Sequence, residues 1–260
     1  MNKILLKDNG YEVIKSDNKI EAEVTLDYIN KIKINVLANT KVYLIFDSSN
    51  ETKYDITFNL MKNVSLNLIE VKKNNKIKIL SKYNLLDKSY LNIIEVSDIS
   101  SINERNIINL NGINSKVDVL LKTVSKNLEK YDYTINHNNK STYSNITTQG
   151  VNVSGNLHFN VTTIIPNGNS KCEANQNNRI INLSNNECII RPNLLIDEYD
   201  VVANHSALLG GFKPEEIFYI NRLGINKDMA SKLLIEGFLK SKLPISLSNN
   251  FKKYWRWFNV

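Results

Sequence analysis

Apolar residues recur at every second position through most of this chain, in short runs that begin near the N-terminus and continue to about residue 211. Val42, Leu44 and Phe46 share one side of an extended segment, as do Ile56, Phe58 and Leu60, and then Val64, Leu66 and Leu68. The pattern returns at Ile77/Ile79, Val117/Val119/Leu121, Tyr131/Tyr133/Ile135 and Leu157/Phe159/Val161. Side chains of an extended chain point alternately to opposite faces, so each run predicts a strand with one apolar face. Asn, Ser, Lys and Gly separate the runs and suit tight corners. Proline, which would remove a ladder donor, is absent from the first 165 residues.

Many short strands in one continuous region leave a sandwich, a barrel or a solenoid. Asn-Gly hairpin dipeptides are sparse, which favours a coiled ribbon, although no strict fixed-period repeat is visible. After residue 212 the period changes. Pro214 suits the first position of a helix, and Glu215 and Glu216 set negative charge at its positive end. Ile217 and Ile220 recur at helical spacing, and Gly224 ends the element. Asn226 caps a second helix, with Ala230, Leu233, Leu234 and Phe238 as its apolar stripe. The expected division is a β core over 1–211 and a helical C-terminal domain over 212–260. Two helices joined at Gly224 also fit a helix-turn-helix. Against that, Lys227, Lys232 and Lys240 alternate with Asp228 and Glu236, so the second helix has no basic face and no nucleic-acid partner is expected.

Charge adds little: 33 basic residues against 26 acidic ones leave +7, but the lysines are scattered without a basic block. The N-terminus lacks the apolar core of a secretion signal, and no apolar stretch is long enough for a membrane span. Cys172 and Cys188 are too few for a disulfide framework, which points to reduced thiols and a cytoplasmic location. No P-loop, Gly-x-Ser-x-Gly or CxxC motif is present, so the chain reads as a non-enzyme.

Individual residues carry expectations of their own. His205 shares strand parity with Val201, Ala203 and Ala207 and is expected to be partly buried. His137, flanked by asparagines as a turn residue would be, reads as a structural or solvent-facing residue, and His158 as a solvent-facing strand residue. Cys188 reads as a small buried hydrophobe. Cys172 sits in a turn beside Lys171, where an exposed thiol would have a lowered pKa. The tail FKKYWRWFNV is expected to pack on its own domain or on a partner.

The string NHSALLGGFKPEEIFYINRLGINKDMASKLLIEGFL resembles the C-terminal signature of the SufB/SufD family, scaffold proteins of iron–sulfur cluster assembly. The matching residues include His205, Ser206, Ala207, Gly210, Glu215, Glu216, Phe218, Tyr219, Gly224 and Phe238. Upstream, Thr134, His137, Ser144, Gly150, Gln176, Asn178 and Arg179 fall at family landmarks. The resemblance implies a right-handed parallel β-helix followed by a small α-helical domain, in a member shortened at its N-terminus. Asn177 and Ser206 stand where SufB-type members carry a cysteine and a glutamate, so it is the more SufD-like pattern. It implies His205 as a cluster ligand or transfer residue, with Cys188 a weaker metal candidate. The cofactor implied is a transient iron–sulfur cluster, with ATP entering only through a partner. Partners implied are a SufB-like subunit, or a second copy, and a SufC-like ATPase bound through Glu215, Glu216, Phe218, Tyr219, Gly224 and Phe238. A β-solenoid binding module unrelated to cluster assembly is the rival reading.

Overall fold

The computed structural model describes residues 2–7, 10–14 and 18–249; the aromatic tail at 251–260 lies outside them. The chain opens with β1 (Asn2–Lys7), β2 (Gly10–Ile14), β3 (Ile20–Thr25), β4 (Asn30–Val36), β5 (Thr40–Ser48) and β6 (Thr52–Leu60). Two long strands follow, β7 (Ser65–Leu85) and β8 (Tyr90–Leu110). Then come β9 (Lys116–Ser125), β10 (Leu128–His137), β11 (Tyr143–Asn152), β12 (Asn156–Ile165), β13 (Cys172–Asn182), β14 (Cys188–Ile196) and β15 (Val201–Gly210). Three helices close the described chain: α1 (Pro214–Asn221), α2 (Lys227–Lys240) and α3 (Ile245–Ser248).

The strands wind into a parallel β-solenoid of about 7 turns. One column runs β1, β5, β7, β8, β9, β11, β13, β15, and the other β4, β6, β7, β8, β10, β12, β14. β7 and β8 are long because each passes through a corner and contributes to both columns. Only β1–β2 and β3–β4 pair antiparallel. Parallel pairing stacks equivalent residues: Val42, Leu68, Ile93, Val119, Ile146, Gln176 and His205 lie in one inward file. The alternating residues of the sequence form this interior, with Phe46, Phe58, Leu66, Ile108, Tyr131 and Phe159 fully buried or nearly so.

A repeat does exist, and it governs one corner. Asn63, Lys88, Asn114, Ser141 and Lys171 all adopt left-handed backbone, with φ between 55° and 60°. Each donates its N–H to the next turn, as in Asn114 to the Lys140 carbonyl at 3.4 Å and Ser141 to the Ser170 carbonyl at 2.9 Å. The following residue closes the corner: Ser89, Ser115 and Thr142 return their hydroxyls to the carbonyls of Leu86, Gly112 and Asn139. Gly112 fits there because a Cβ would lie 1.9 Å from the Asp87 nitrogen. Outside the other column runs an amide ladder, Asn136 to Asn109 to Asn84 to Asn59 to Asn35, each side chain donating to the one below. Its steps, 27, 25, 25 and 24 residues, are unequal, which hides the repeat from a fixed-period reading.

The helices lie on the outer face of the first column. Ile235, Leu239 and Leu247 share a second core with Ile69, Val71, Ile94, Val96, Val124, Val151 and Ile181. Strands under the helices are therefore apolar on both faces, as buried parallel strands are. The α2 stripe is rotated from expectation: Ala230, Ile235 and Leu239 are buried while Leu233 is 44% exposed, because α2 meets the solenoid through its last two turns.

The corner column gives a direct test. Asn114→Val, which opposes a left-handed φ of 57°, is expected to lower stability by about 1–2 kcal/mol. Asn114→Gly should be neutral or stabilising. Denaturant midpoints of the two variants check the expectation.

Candidate functional site

Among the described residues no element covers the last turn of the solenoid: β14 pairs only with β12, and β15 only with β13, so both final strands present free edges. Unpaired N–H and C=O groups on such an edge are a template for another chain. Apolar side chains crowd the same end: Leu195 is 55% exposed, Tyr199 98%, Val202 57% and Leu208 53%.

His205 stands in this rim. Its parity is inward, since it continues the file that runs through Ile146 and Gln176. It is nevertheless exposed, contrary to the expectation of partial burial. Among the described residues the last turn has no neighbour above it, so an inward position there is an open one. Directly beneath, Gln176 is 3% exposed. Its Nε2 donates to Thr163 Oγ1 at 2.9 Å and to the Asn193 carbonyl at 3.0 Å. Its Oε1 is buried without a partner.

Cys188 does not join His205. It opens β14 opposite Leu157 and packs partly buried against the main core, where burial raises its thiol pKa. The Gln176–Asn193 bond places the His205 position across from Asn193, five residues along β14 from Cys188. At 3.3 Å per residue that is about 16 Å. Among the described residues His205 belongs to no group of three or more His, Cys, Asp and Glu side chains able to hold a metal.

Burial decides three other sequence readings. His158 is not solvent-facing: it is 9% exposed and lies 3.3 Å from a Glu187 carboxylate oxygen, with burial lowering its pKa. Its outward parity is covered at the edge by the 187 corner. His137 ends β10 fully buried instead of sitting in an open turn, held by Thr142 Oγ1 at 2.7 Å and Ser144 Oγ at 2.8 Å. Burial brings its pKa down to about 4, so it is neutral and structural. Cys172 is 1% exposed and fills the corner place held by a hydroxyl in earlier turns, 3.1 Å from Thr142 Oγ1.

The helical segment presents a second surface. α1 has no buried residue, and Phe218, Tyr219 and Leu223 are 63%, 68% and 66% exposed. Glu216 caps it by accepting from the Lys213 N–H at 2.9 Å. Glu215, Glu216, Tyr219 and Ile220 line a groove against Leu234 of α2. Gly224 turns between the helices with φ at 81°. Phe238 faces the other way, toward the solenoid. Its carbonyl accepts from Lys122 Nζ at 2.9 Å, and its ring lies between Lys122 at 5.4 Å and Arg179 at 5.2 Å. Lys122 also donates to Ser241 Oγ at 3.1 Å and to Gln149 Oε1. Three acceptors thus satisfy all three donors of a buried ammonium, although burial, reinforced by Lys242, pulls its pKa down to about 7. If these bonds fix α2, Lys122→Met should loosen residues 235–247 as much as Lys122→Ala does. Amide exchange there should quicken by at least about tenfold, since bonds to a charged group are worth about 1.5–3 kcal/mol. If only the stem mattered, the methionine variant would keep its protection.

Inside the solenoid lies polar machinery that the sequence analysis missed. Lys72 Nζ sits 2.6 Å from Glu104, 2.7 Å from Glu95 and 3.1 Å from Glu70, with all four side chains buried. Tyr83, Tyr133 and Asn106 donate to the same carboxylates. These acids are the one grouping that offers a metal three ligands among the described residues, but the lysine ammonium already occupies its centre. Burial raises the pKa of Glu70 and Glu95; it opposes the Lys72 charge too, but Glu104, Glu95 and Glu70 outweigh it and raise the lysine. The signal was present, because Glu70 and Lys72 continue the parity of Leu66 and Leu68.

Glu129 is a related case. It accepts from Thr123 at 2.6 Å and Tyr131 at 3.0 Å, while its Oε1 is buried without a partner. Burial raises its pKa to about 7. The folded value exceeds the unfolded one, so its contribution is full below about pH 4.5 and is lost as pH rises to about 7. Glu129→Gln should therefore be more stable than the parent at pH 8 by roughly 3 kcal/mol, with the gap closing toward pH 4.5. Denaturant melts at the two pH values test the sign.

The comparisons with known proteins fit this geometry. The family model of the SufBD core domain, described as SUF system FeS cluster assembly, matches residues 28–238. The chain is also similar to the iron-sulfur cluster assembly protein SufD of Bacillus subtilis (strain 168), 41% identical over 91 residues. That segment covers 34% of this chain and 21% of the relative, so only a fifth of the relative's length is matched.

Proposed function

The chain belongs to the SufBD core family, and from that premise we propose that it is a non-catalytic, SufD-like scaffold subunit of an iron–sulfur cluster assembly complex. The observation that carries this reading is the open end of the solenoid, where the inward file terminates in an exposed His205 on an unpaired strand edge. Neutral imidazole is a competent iron ligand, and an edge strand with exposed apolar neighbours is a surface made for pairing.

Ligand chemistry favours a SufB-like partner over a second copy. Cluster iron is held mainly by thiolates. This chain brings one imidazole to the rim, and Cys188 lies about 16 Å away by strand spacing. Two copies would supply two histidines and no thiolate; a partner with a rim cysteine completes the set. The cluster is cargo held between subunits, transiently. The ATPase docks on α1 through Phe218 and Tyr219, with Glu215 and Glu216 at its border, Gly224 setting the turn and Phe238 anchoring α2 from behind. ATP acts through that subunit alone, and the complex works in the cytoplasm.

Co-expression with a SufB-like protein and a SufC-like ATPase, followed by affinity capture and native mass, tests the assembly. A complex with one copy of this chain beside a SufB-like subunit and the ATPase is expected. Capture of two copies would establish the homodimer, and a folded monomer that binds neither would overturn the reading in favour of a solenoid binding module. His205→Ala should leave the complex intact and abolish cluster assembly on it; unimpaired assembly would remove the ligand role.

A further inference from the structure

Gln176 sits one turn below His205 in the same inward file, so strand spacing sets their backbones about 4.8 Å apart. The orientation of its amide is determined. The Asn193 carbonyl can only accept, so the group 3.0 Å away is the NH2, and it also reaches Thr163 Oγ1 at 2.9 Å. The oxygen is left buried with no donor among the described residues. Turns farther down fill their own interior, but above Gln176 the sole inward residue of the file is His205, which has no side-chain hydrogen bond of its own among the described residues. A buried orphan acceptor is costly, and the residue stacked directly above Gln176 in the file carries an imidazole N–H.

We propose that Gln176 is the positioning residue of His205: its Oε1 accepts one ring N–H, fixes the tautomer, and leaves the other ring nitrogen with its lone pair facing out of the solenoid end. Metal-binding histidines are oriented in this way by a carbonyl or carboxylate on the second nitrogen. Here the donor is set by a side chain whose own NH2 is tied to β12 and β14, so the imidazole direction is referred to both columns of the solenoid. The use of the free nitrogen rests on the proposed function; the hydrogen bond does not.

The test uses the full chain alone, labelled with 15N-histidine, and long-range proton–nitrogen spectra above the histidine titration range. His205→Ala assigns the signal. One tautomer should dominate in the parent, and Gln176→Leu should shift the tautomer ratio by roughly fivefold to tenfold, the weight of one ordinary hydrogen bond. Amide protection across β13 in each variant verifies that the last turns remain folded, and Thr163→Val gives a milder second variant that loosens the Gln176 amide without removing its oxygen and should shift the ratio in the same direction. A parent without a dominant tautomer, or a leucine variant identical to it, overturns the proposal and assigns the Gln176 oxygen to water. Failure to capture the ATPase complex would leave this result untouched, so the two readings fail separately.

Discussion

Register is the constraint on which everything else here depends. In a parallel solenoid each turn is hydrogen-bonded to the one before, and each side chain stacks on its equivalent. A residue's environment is then decided by its file as much as by its own character. Left-handed corners at fixed places, closed by Ser89, Ser115 and Thr142, with Cys172 in the equivalent place reaching back to the Asn139 carbonyl, keep the turns in phase even as the repeat lengthens. The asparagine ladder does the same on the opposite side, trading water for amide partners along a surface that sequence alone would call featureless.

Because the files run the length of the molecule, the last turn inherits an interior position with no interior left. His205 is the result. Parity placed it on the correct side, but parity carries no information about whether a further turn follows, so burial was overestimated. The same limit explains His158, whose outward position is covered by a corner formed 29 residues later at Glu187. Strand existence and the switch to helices near residue 212 were legible from alternation, from the lack of early proline and from the Pro214-Glu215-Glu216 start, whereas the parallel β-helix followed from the family resemblance. The turn-by-turn register was not, since turns of 24 to 30 residues defeat a fixed period.

The two surfaces assigned to partners are joined by one sheet. Lys122 and Gln149, which hold α2, are register neighbours, and Gln149 is paired with Arg179 and Arg179 with Leu208 on the edge strand. The helices thus rest on the outer face of the same strands whose inner face ends at His205. The proposed function uses both surfaces, and the shared strands connect them directly.

The buried Lys72 has a consequence for the order of events during synthesis. Its partner Glu104 lies 32 residues later in the chain, and Glu95 belongs to β8 as well. A nascent chain leaving the ribosome therefore carries a lysine that is unable to shed its water until the following turn has been translated. The early turns must wait, partly hydrated, and then close together. Vectorial synthesis and the charge in the core thus set a minimum cooperative unit: the solenoid does not lengthen one turn at a time through this region, but in a step at least two turns deep.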